Sequence, residues 1–290
     1  MAVTRVTIAG RIDCPDFHRA NLIANALANR HPDQISVTVM QFFETQWDQF
    51  LKQTANKHKG VFYDHTASPL VYLGDSEYVG DVEQFHTWAL HNYSYHDDLP
   101  ASHFKQLAAD AYKAKINDSK TRKYAQMNFV ANGRSSAVIF ELFHDICPRT
   151  CDNFLALCAG FKNKGGENIT YEATEIHRVV PGMFLQGGRI RHDIGGASHF
   201  GGEFEDESFH IKHTEVGMLG MCKRNGLKHT NESQFYVTLG APLSFLDNNN
   251  VVFGRVISGF SALAAIEQLP TTNDKPNDLV KIEKCSQLKC

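Results

Sequence analysis

The stretch Ile176-His177-Arg178-Val179-Val180-Pro181-Gly182-Met183-Phe184-Leu185-Gln186-Gly187-Gly188 decides how this chain is read. It sets one arginine and one glutamine into an otherwise apolar run, and two glycines end it. A plain strand alternates apolar with polar, and a helix does not tolerate Pro181-Gly182 at its middle. The economical reading is two strands joined at Pro181-Gly182, with Arg178 and Gln186 held on one face. An arginine on an apolar surface has two explanations. Either something there needs its charge and its planar fork of donors, or it snorkels from a strand edge or pairs with a nearby acid.

Working outward, 290 residues suffice for one large or two ordinary domains. Hydrophobic residues at 42% and charged residues at 21% fit a folded globular protein. A net charge of -3 gives no electrostatic case for nucleic acid or an anionic membrane. No apolar run reaches bilayer-spanning length, and residues 1–10 read as a strand rather than a signal peptide. The seven cysteines are odd in number and scattered, which favours a reducing compartment. The expected location is the cytosol. No pair among the fifteen histidines sits at metal spacing beside cysteines, so no metal is expected.

The first third alternates short strands and amphipathic helices. Residues 3–9 and 35–40 read as strands, and 68–73 with 77–80 as a hairpin. Helices are expected from Pro15 to about Asn29, from Glu44 to about Ala55, and from an Asp81 cap to about Leu90. This order, with Cys14-Pro15 heading the first helix and Ser68-Pro69 before the third strand, resembles the thioredoxin and glutaredoxin fold. The resemblance implies an α/β domain in which Cys14 is a redox candidate beside a cis proline. Phe17 stands where dithiol enzymes carry a second cysteine, and Asp13 and Asp16 oppose a thiolate. A docking module without redox activity is therefore the favoured reading. Domains are placed at 1–92 and 123–290, joined by a polar, partly helical linker at 93–122, with its helix at 104–115.

The last 165 or so residues read as many short strands with two helices, a pattern of antiparallel β-barrels capped at both ends. Phe140-Glu141-Leu142-Phe143, Pro148-x-Thr150-x-x-Asn153-Phe154 and His177-Arg178-Val179-Val180-Pro181-Gly182 occur in order, followed by Gln186-Gly187-Gly188. Phe204-Glu205-Asp206-Glu207-x-Phe209, Ser233-Gln234-Phe235 and Val251-Val252-Phe253-Gly254 complete the series. Together these motifs resemble the cyclophilin family from about Lys123 to Leu288. The two-part order resembles the peptidyl-prolyl isomerase-like protein 6 group of that family, which implies association with cilia.

The resemblance implies a peptidyl-prolyl cis-trans isomerase acting on proline-containing protein segments. An X-Pro bond turns slowly because amide resonance sets a barrier of roughly 18–20 kcal/mol. Catalysis needs no nucleophile, metal or cofactor. It needs an apolar slot for the ring and a donor aimed at the prolyl nitrogen as the bond twists. The family's pattern maps the catalytic donor to Arg178, supported by Gln186. It maps substrate binding to Met183, Phe184, Gln234, Tyr236, Phe245, Leu246 and Asn250.

Departures cluster on the pocket rim. Met183-Phe184 reverses the family's pair, and Tyr236 adds a hydroxyl that must find a partner or face solvent. Phe245 and Asn250 replace a larger ring and a histidine. The segment Cys222-Lys223-Arg224-Asn225-Gly226-Leu227-Lys228-His229 is longer and more basic than usual, and its Lys223, Arg224, Lys228 and His229 read first as a solvated loop and second as a docking surface for an acidic partner. The loop from Arg189 to His199 is shorter. These changes imply reduced activity, and the alternative is an adaptor subunit of an axonemal protein complex in a cilium or flagellum.

Overall fold

Strand β1 (Thr4–Arg11) forms the spine of the first half. Its Val6, Ile8 and Ala9 are all fully buried, as a central strand covered on both faces requires. The chain is described by a computed structural model at residues 3–190 and 198–288. It divides into two units, Met1–Lys115 and Ile116–Cys290. Residues 191–197 of the loop read as shortened lie outside the described residues.

In the first unit, helix α1 (Pro15–Arg30) starts at a proline whose fixed φ and missing N–H suit a first helical turn. Its apolar stripe of Phe17, Ala20, Ile23, Ala24 and Leu27 is buried. Strand β2 (Ile35–Phe42) runs parallel to β1, and helix α2 (Glu44–His58) buries Trp47. Strands β3 (Leu70–Leu73) and β4 (Glu77–Gly80) complete a sheet of order β2-β1-β3-β4. Helix α3 (Val82–Tyr93) is capped by the Asp81 carboxylate, which accepts from the backbone N–H of Glu83 and Gln84 at 3.0 Å each. Helix α4 (Ala101–Asn117) contains the helix expected at 104–115; its Phe104 and Ala108 are buried and Tyr112 meets Phe43 edge-on at 5.7 Å. The division at Lys115 falls inside the segment read as a linker.

The second unit opens with a hairpin of β5 (Lys123–Ala131) and β6 (Arg134–Leu142). Its turn is Asn132-Gly133, both at positive φ (50° and 72°), the geometry that matches strand twist in a two-residue loop. Helix α5 (Pro148–Ala159) packs its Phe154 ring among Phe140, Tyr171, Phe235 and Phe253, with centroids 5.3–6.0 Å apart. Short strands β7 (Phe161–Lys162) and β8 (Asn168–Ile169) form a small hairpin. Then come β9 (Arg178–Val180), β10 (Phe184–Gly187), β11 (Met218–Lys223), β12 (Asn231–Thr238) and β13 (Val252–Ser258). Helix α6 (Phe260–Glu267), the hairpin of β14 (Thr271–Thr272) and β15 (Lys275–Pro276), and β16 (Lys281–Gln287) follow.

Eight of these strands make one curled antiparallel sheet, in the order β16-β5-β6-β13-β11-β12-β10-β9. Its two ends meet through the bridge of Glu175 with Lys281 and the backbone bond from Ile176 N to Val280 O at 2.9 Å. The result is a half-barrel closed along a seam rather than by a continuous ladder.

Candidate functional site

The turn at Pro181-Gly182 places Arg178 directly opposite Gln186, so both side chains share one face of the sheet. Gly182 takes φ +72°, which permits the turn without a Cβ penalty. On the other side of β10, Gln186 faces Tyr236 of β12, and Tyr236 faces Gly220 of β11. Period-two alternation then adds Phe184, Gln234, Glu232 and Cys222 to the same face.

Within this face the polar groups are linked. Gln186 Nε2 donates to Gln234 Oε1 at 3.0 Å. Arg178 stacks its guanidinium over the Phe184 ring at 5.2 Å, a cation–π contact. Its Nε and one terminal nitrogen both donate to Asp274 Oδ2, at 3.1 and 3.0 Å. The two side chains are 46% and 44% exposed, so this ion pair is worth only about 0–1 kcal/mol. It competes with any other acceptor for the guanidinium without locking it.

The Tyr236 hydroxyl finds a buried partner. Asp247 Oδ1 accepts from His213 Nδ1–H at 2.7 Å, which leaves Nε2 to accept from the Tyr236 hydroxyl at 2.6 Å. Burial pushes the His213 pKa down against the pull of Asp247, which favours the neutral ring, and the bond to Asp247 selects this tautomer. Gly220 makes room for the tyrosine, since a Cβ there would fall 2.3 Å from its ring. Tyr236 therefore presents its apolar ring to the site and turns its hydroxyl to the buried His213. Phe184 stands 6.0 Å from that ring.

The remaining predicted residues are spread more widely. Met183 is half-buried in the turn, its carbonyl accepting from Leu239 N at 2.8 Å. Leu246 is half-buried, but Phe245 is 59% exposed and does not close a wall. Asn250 Nδ2 donates to the Met221 carbonyl at 2.9 Å, which ties it to the β11 backbone.

The basic segment after Cys222 needs correction. Lys223 is not solvated: its ammonium bonds Asp206 Oδ2 at 2.8 Å with both side chains 1% exposed. Asp206 also accepts from Asn231 Nδ2 at 2.9 Å and His229 N at 3.0 Å. Burial pushes the Asp206 carboxyl up, and these hydrogen bonds outweigh it and leave the pKa below the usual carboxylate value. Arg224 pairs with Glu203 at 2.8 Å. Arg224, Lys228 and His229 are exposed, so among the described basic residues of the segment Lys223 is the one that departs from the solvated reading.

Sequence reading also passed over His177 and Cys222. Burial, then Arg189, pushes the His177 imidazole down to about 4, so it is neutral beside Arg178 at neutral pH. Burial pushes the Cys222 thiol up, against the opposing pull of Arg178 and Arg189. A protonated thiol in this position adds apolar wall rather than a nucleophile. Cys147 and Cys151 are likewise buried, the former pushed up to about 12 by burial and neighbouring acids.

In the first unit, Cys14 precedes α1 as its N-cap residue, and its thiol donates to the Ser68 carbonyl at 3.2 Å. The Ser68-Pro69 bond is cis. Arg11 is held by Asp13 at 2.7 Å. Among the described residues no group of three or more His, Cys, Asp or Glu could hold a metal ion, and no helix is long and apolar enough to cross a membrane.

A curled antiparallel sheet carrying Arg178, Gln186 and Gln234 on one face defines the class. The chain belongs to the cyclophilin type peptidyl-prolyl cis-trans isomerase family, whose sequence model matches residues 126–287. A second family model, described as "Putative malate dehydrogenase 1B N-terminal domain", matches residues 5–127. Among curated proteins the chain is 32% identical to the human "Probable inactive peptidyl-prolyl cis-trans isomerase-like 6" over 287 residues, covering 96% of this chain and 90% of that protein. The Mus musculus protein of the same name is 32% identical, over 94% of this chain and 87% of its own length. The Mus musculus "NK-tumor recognition protein" is 43% identical over 157 residues, 52% of this chain and 11% of that protein.

Proposed function

We propose that the second unit binds proline-containing protein segments and turns their X-Pro bonds as a cyclophilin-type isomerase of reduced activity. The observation that carries this reading is the Arg178-Gln186-Gln234 row beside the Phe184 and Tyr236 rings. A guanidinium aimed at a prolyl nitrogen, next to an apolar slot, is the machinery that bond rotation needs. Two features support the reduced rate. Asp274 occupies two of the Arg178 donors, and the exposed Phe245 leaves the slot open on one side.

The second reading is an adaptor in which the same face holds a partner without turning over. Two relatives that span most of this chain carry "probable inactive" in their names, which favours it. Association with a ciliary axoneme belongs to this reading. The first unit fits a thioredoxin-like docking module under either reading, with Cys14 beside cis-Pro69 and no second cysteine at Phe17.

The test is isomerisation of a proline test peptide by the full-length chain. Wild type is expected to exceed the uncatalysed rate, and Arg178→Ala to lose roughly a hundredfold of that acceleration. Asp274→Ala, which frees the guanidinium, is expected to raise the rate by up to about fivefold, the equivalent of ~1 kcal/mol. If wild type, Arg178→Ala and Asp274→Ala all match the uncatalysed rate, the enzyme reading fails and the adaptor reading stands.

A further inference from the structure

Strand β2 lies at the outer edge of the first unit's sheet, and among the described strands it pairs with β1 alone. The backbone bonds at its two ends show which residues face inward. Gln34 O accepts from Thr4 N at 2.7 Å, and Phe42 O accepts from Ile12 N at 3.0 Å. Because a strand repeats every two residues, the even-numbered residues of β2 turn their N–H and C=O groups to β1. Those of Val37, Val39 and Gln41 point the other way, and among the described residues nothing bonds them.

Native sheets protect such an edge with a lysine, a proline, a bulge or a covering element. Strand β2 lacks all four. From Gln34 to Phe43 the chain carries no charge and no proline. Its pairing with β1 runs from Thr4–Ile35 to Arg11–Phe42 without a register shift. Ser36, Thr38, Val39 and Gln41 are exposed, so the edge is open to solvent.

The side chains decide what fits there. Val37 packs on the core beneath α1 and α3, so Val37, Val39 and Gln41 lie on that face. Met40 and Phe42 pack on the opposite face with Trp47 of α2, and Phe42 stacks on Phe50 at 4.6 Å. Ser36 and Thr38 share this second face. Small side chains therefore fill its first half and large ones its second half. An antiparallel copy of the same strand, centred on Val39, sets Phe42 of one chain against Ser36 of the other and Met40 against Thr38. These are the non-hydrogen-bonded positions, where cross-strand side chains come closest. In that register Val39 opposes its own copy and Val37 opposes Gln41, so every outward backbone group gains a partner. The neighbouring registers bring Ile35 or Phe43 into line. Both already donate their N–H, Ile35 to His31 O at 3.0 Å and Phe43 to Gln46 Oε1 at 3.2 Å.

We propose that β2 is a self-association edge, on which two copies of this chain pair their β2 strands antiparallel about Val39. The result is an isologous dimer with one sheet running through both first units.

The full-length chain is examined by analytical ultracentrifugation at concentrations up to about 0.1 mM, where wild type is expected to dimerise. Val39→Lys sets two ammonium groups opposite each other and is expected to weaken the dimer about tenfold or more. Circular dichroism matching wild type shows that this variant is folded. Crosslinking then reads the register. Val39→Cys places two thiols on Cα atoms about 5.5 Å apart, within disulfide reach, whereas Val37→Cys holds its two thiols roughly 13 Å apart along the strands. Under mild oxidation with diamide, Val39→Cys is expected to give a covalent dimer above the wild-type level, and Val37→Cys is not. The inference fails if wild type stays monomeric throughout, or if Val39→Lys dimerises as wild type does. It fails equally if Val39→Cys crosslinks no more than Val37→Cys, because the copies then meet on another surface. None of these outcomes touches the reading of the Arg178 face.

Discussion

Strands β9 and β11 each carry a cation paired with an aspartate, and the two pairs differ in nearly every physical respect. Arg178 and Asp274 are about half exposed, and one carboxylate oxygen takes both donors. Lys223 and Asp206 are sealed from solvent, and the carboxylate takes two further hydrogen bonds. Water screens the first pair, so its members can exchange partners at little cost. The second pair has no solvent to fall back on, and losing one member strands the other. One pair is thus built to be used, and the other to stay in place.

The sharpest way to break that contrast is Asp206→Ala. It is expected to cost the second unit about 3–5 kcal/mol in denaturant unfolding, because the Lys223 ammonium and Asn231 amide lose their acceptor inside the protein. The pH dependence of Asp206 has a defined sign. Its folded pKa lies below the unfolded value, so its contribution is complete above about pH 4 and disappears as pH falls through the lowered folded value.

His177 comes next and runs over a different window. Its folded pKa of about 4 lies below the unfolded value near 6.5, so the unfolded chain binds the extra proton. Stability is expected to fall by about 1–2 kcal/mol between pH 6.5 and 4, after solvent screening of a half-buried ring is discounted. A histidine titration followed by NMR should place the His177 midpoint near 4; a midpoint near 6.5 would remove the effect.

Smaller still is Tyr236→Phe. It removes the donor to His213 Nε2 but keeps the ring, and is expected to cost about 1 kcal/mol on thermal unfolding. Smallest is the exposed pair itself. Arg178→Ala and Asp274→Ala should each change stability by under ~1 kcal/mol, whatever they do to the rate. A loss of 3 kcal/mol from either would erase the distinction between the two pairs.

The sequence displayed the local half of this arrangement. Proline and glycine between two apolar runs fixed the β9–β10 turn, and the strand period put Arg178 and Gln186 on one face. The long-range half was hidden. Asp274 reaches Arg178 from the β14–β15 hairpin, and no pattern near Arg178 announces it. Lys223 read as solvated because it heads a run of polar and basic residues, whereas its burial depends on Asp206 in a separate loop. The Tyr236 hydroxyl raised the right question, but His213 and Asp247 are assembled only by the fold. In the first unit, polar composition made 93–122 read as a partly helical linker, although α4 within it buries Phe104 and Ala108.

The seam between Glu175 and Lys281 has a consequence for how the second unit is reached. Strand β16 pairs with β5 at one edge of the sheet while its start bridges to the segment leading into β9 at the other. Both contacts join residues from distant parts of the unit, so the entropy of closing long loops must be met before either is rewarded. Local hairpins such as β5–β6 can form early, and the curl that brings the Arg178 strand to the last strand is expected in the late, slow part of folding. The candidate site is then expected among the last features to acquire its shape.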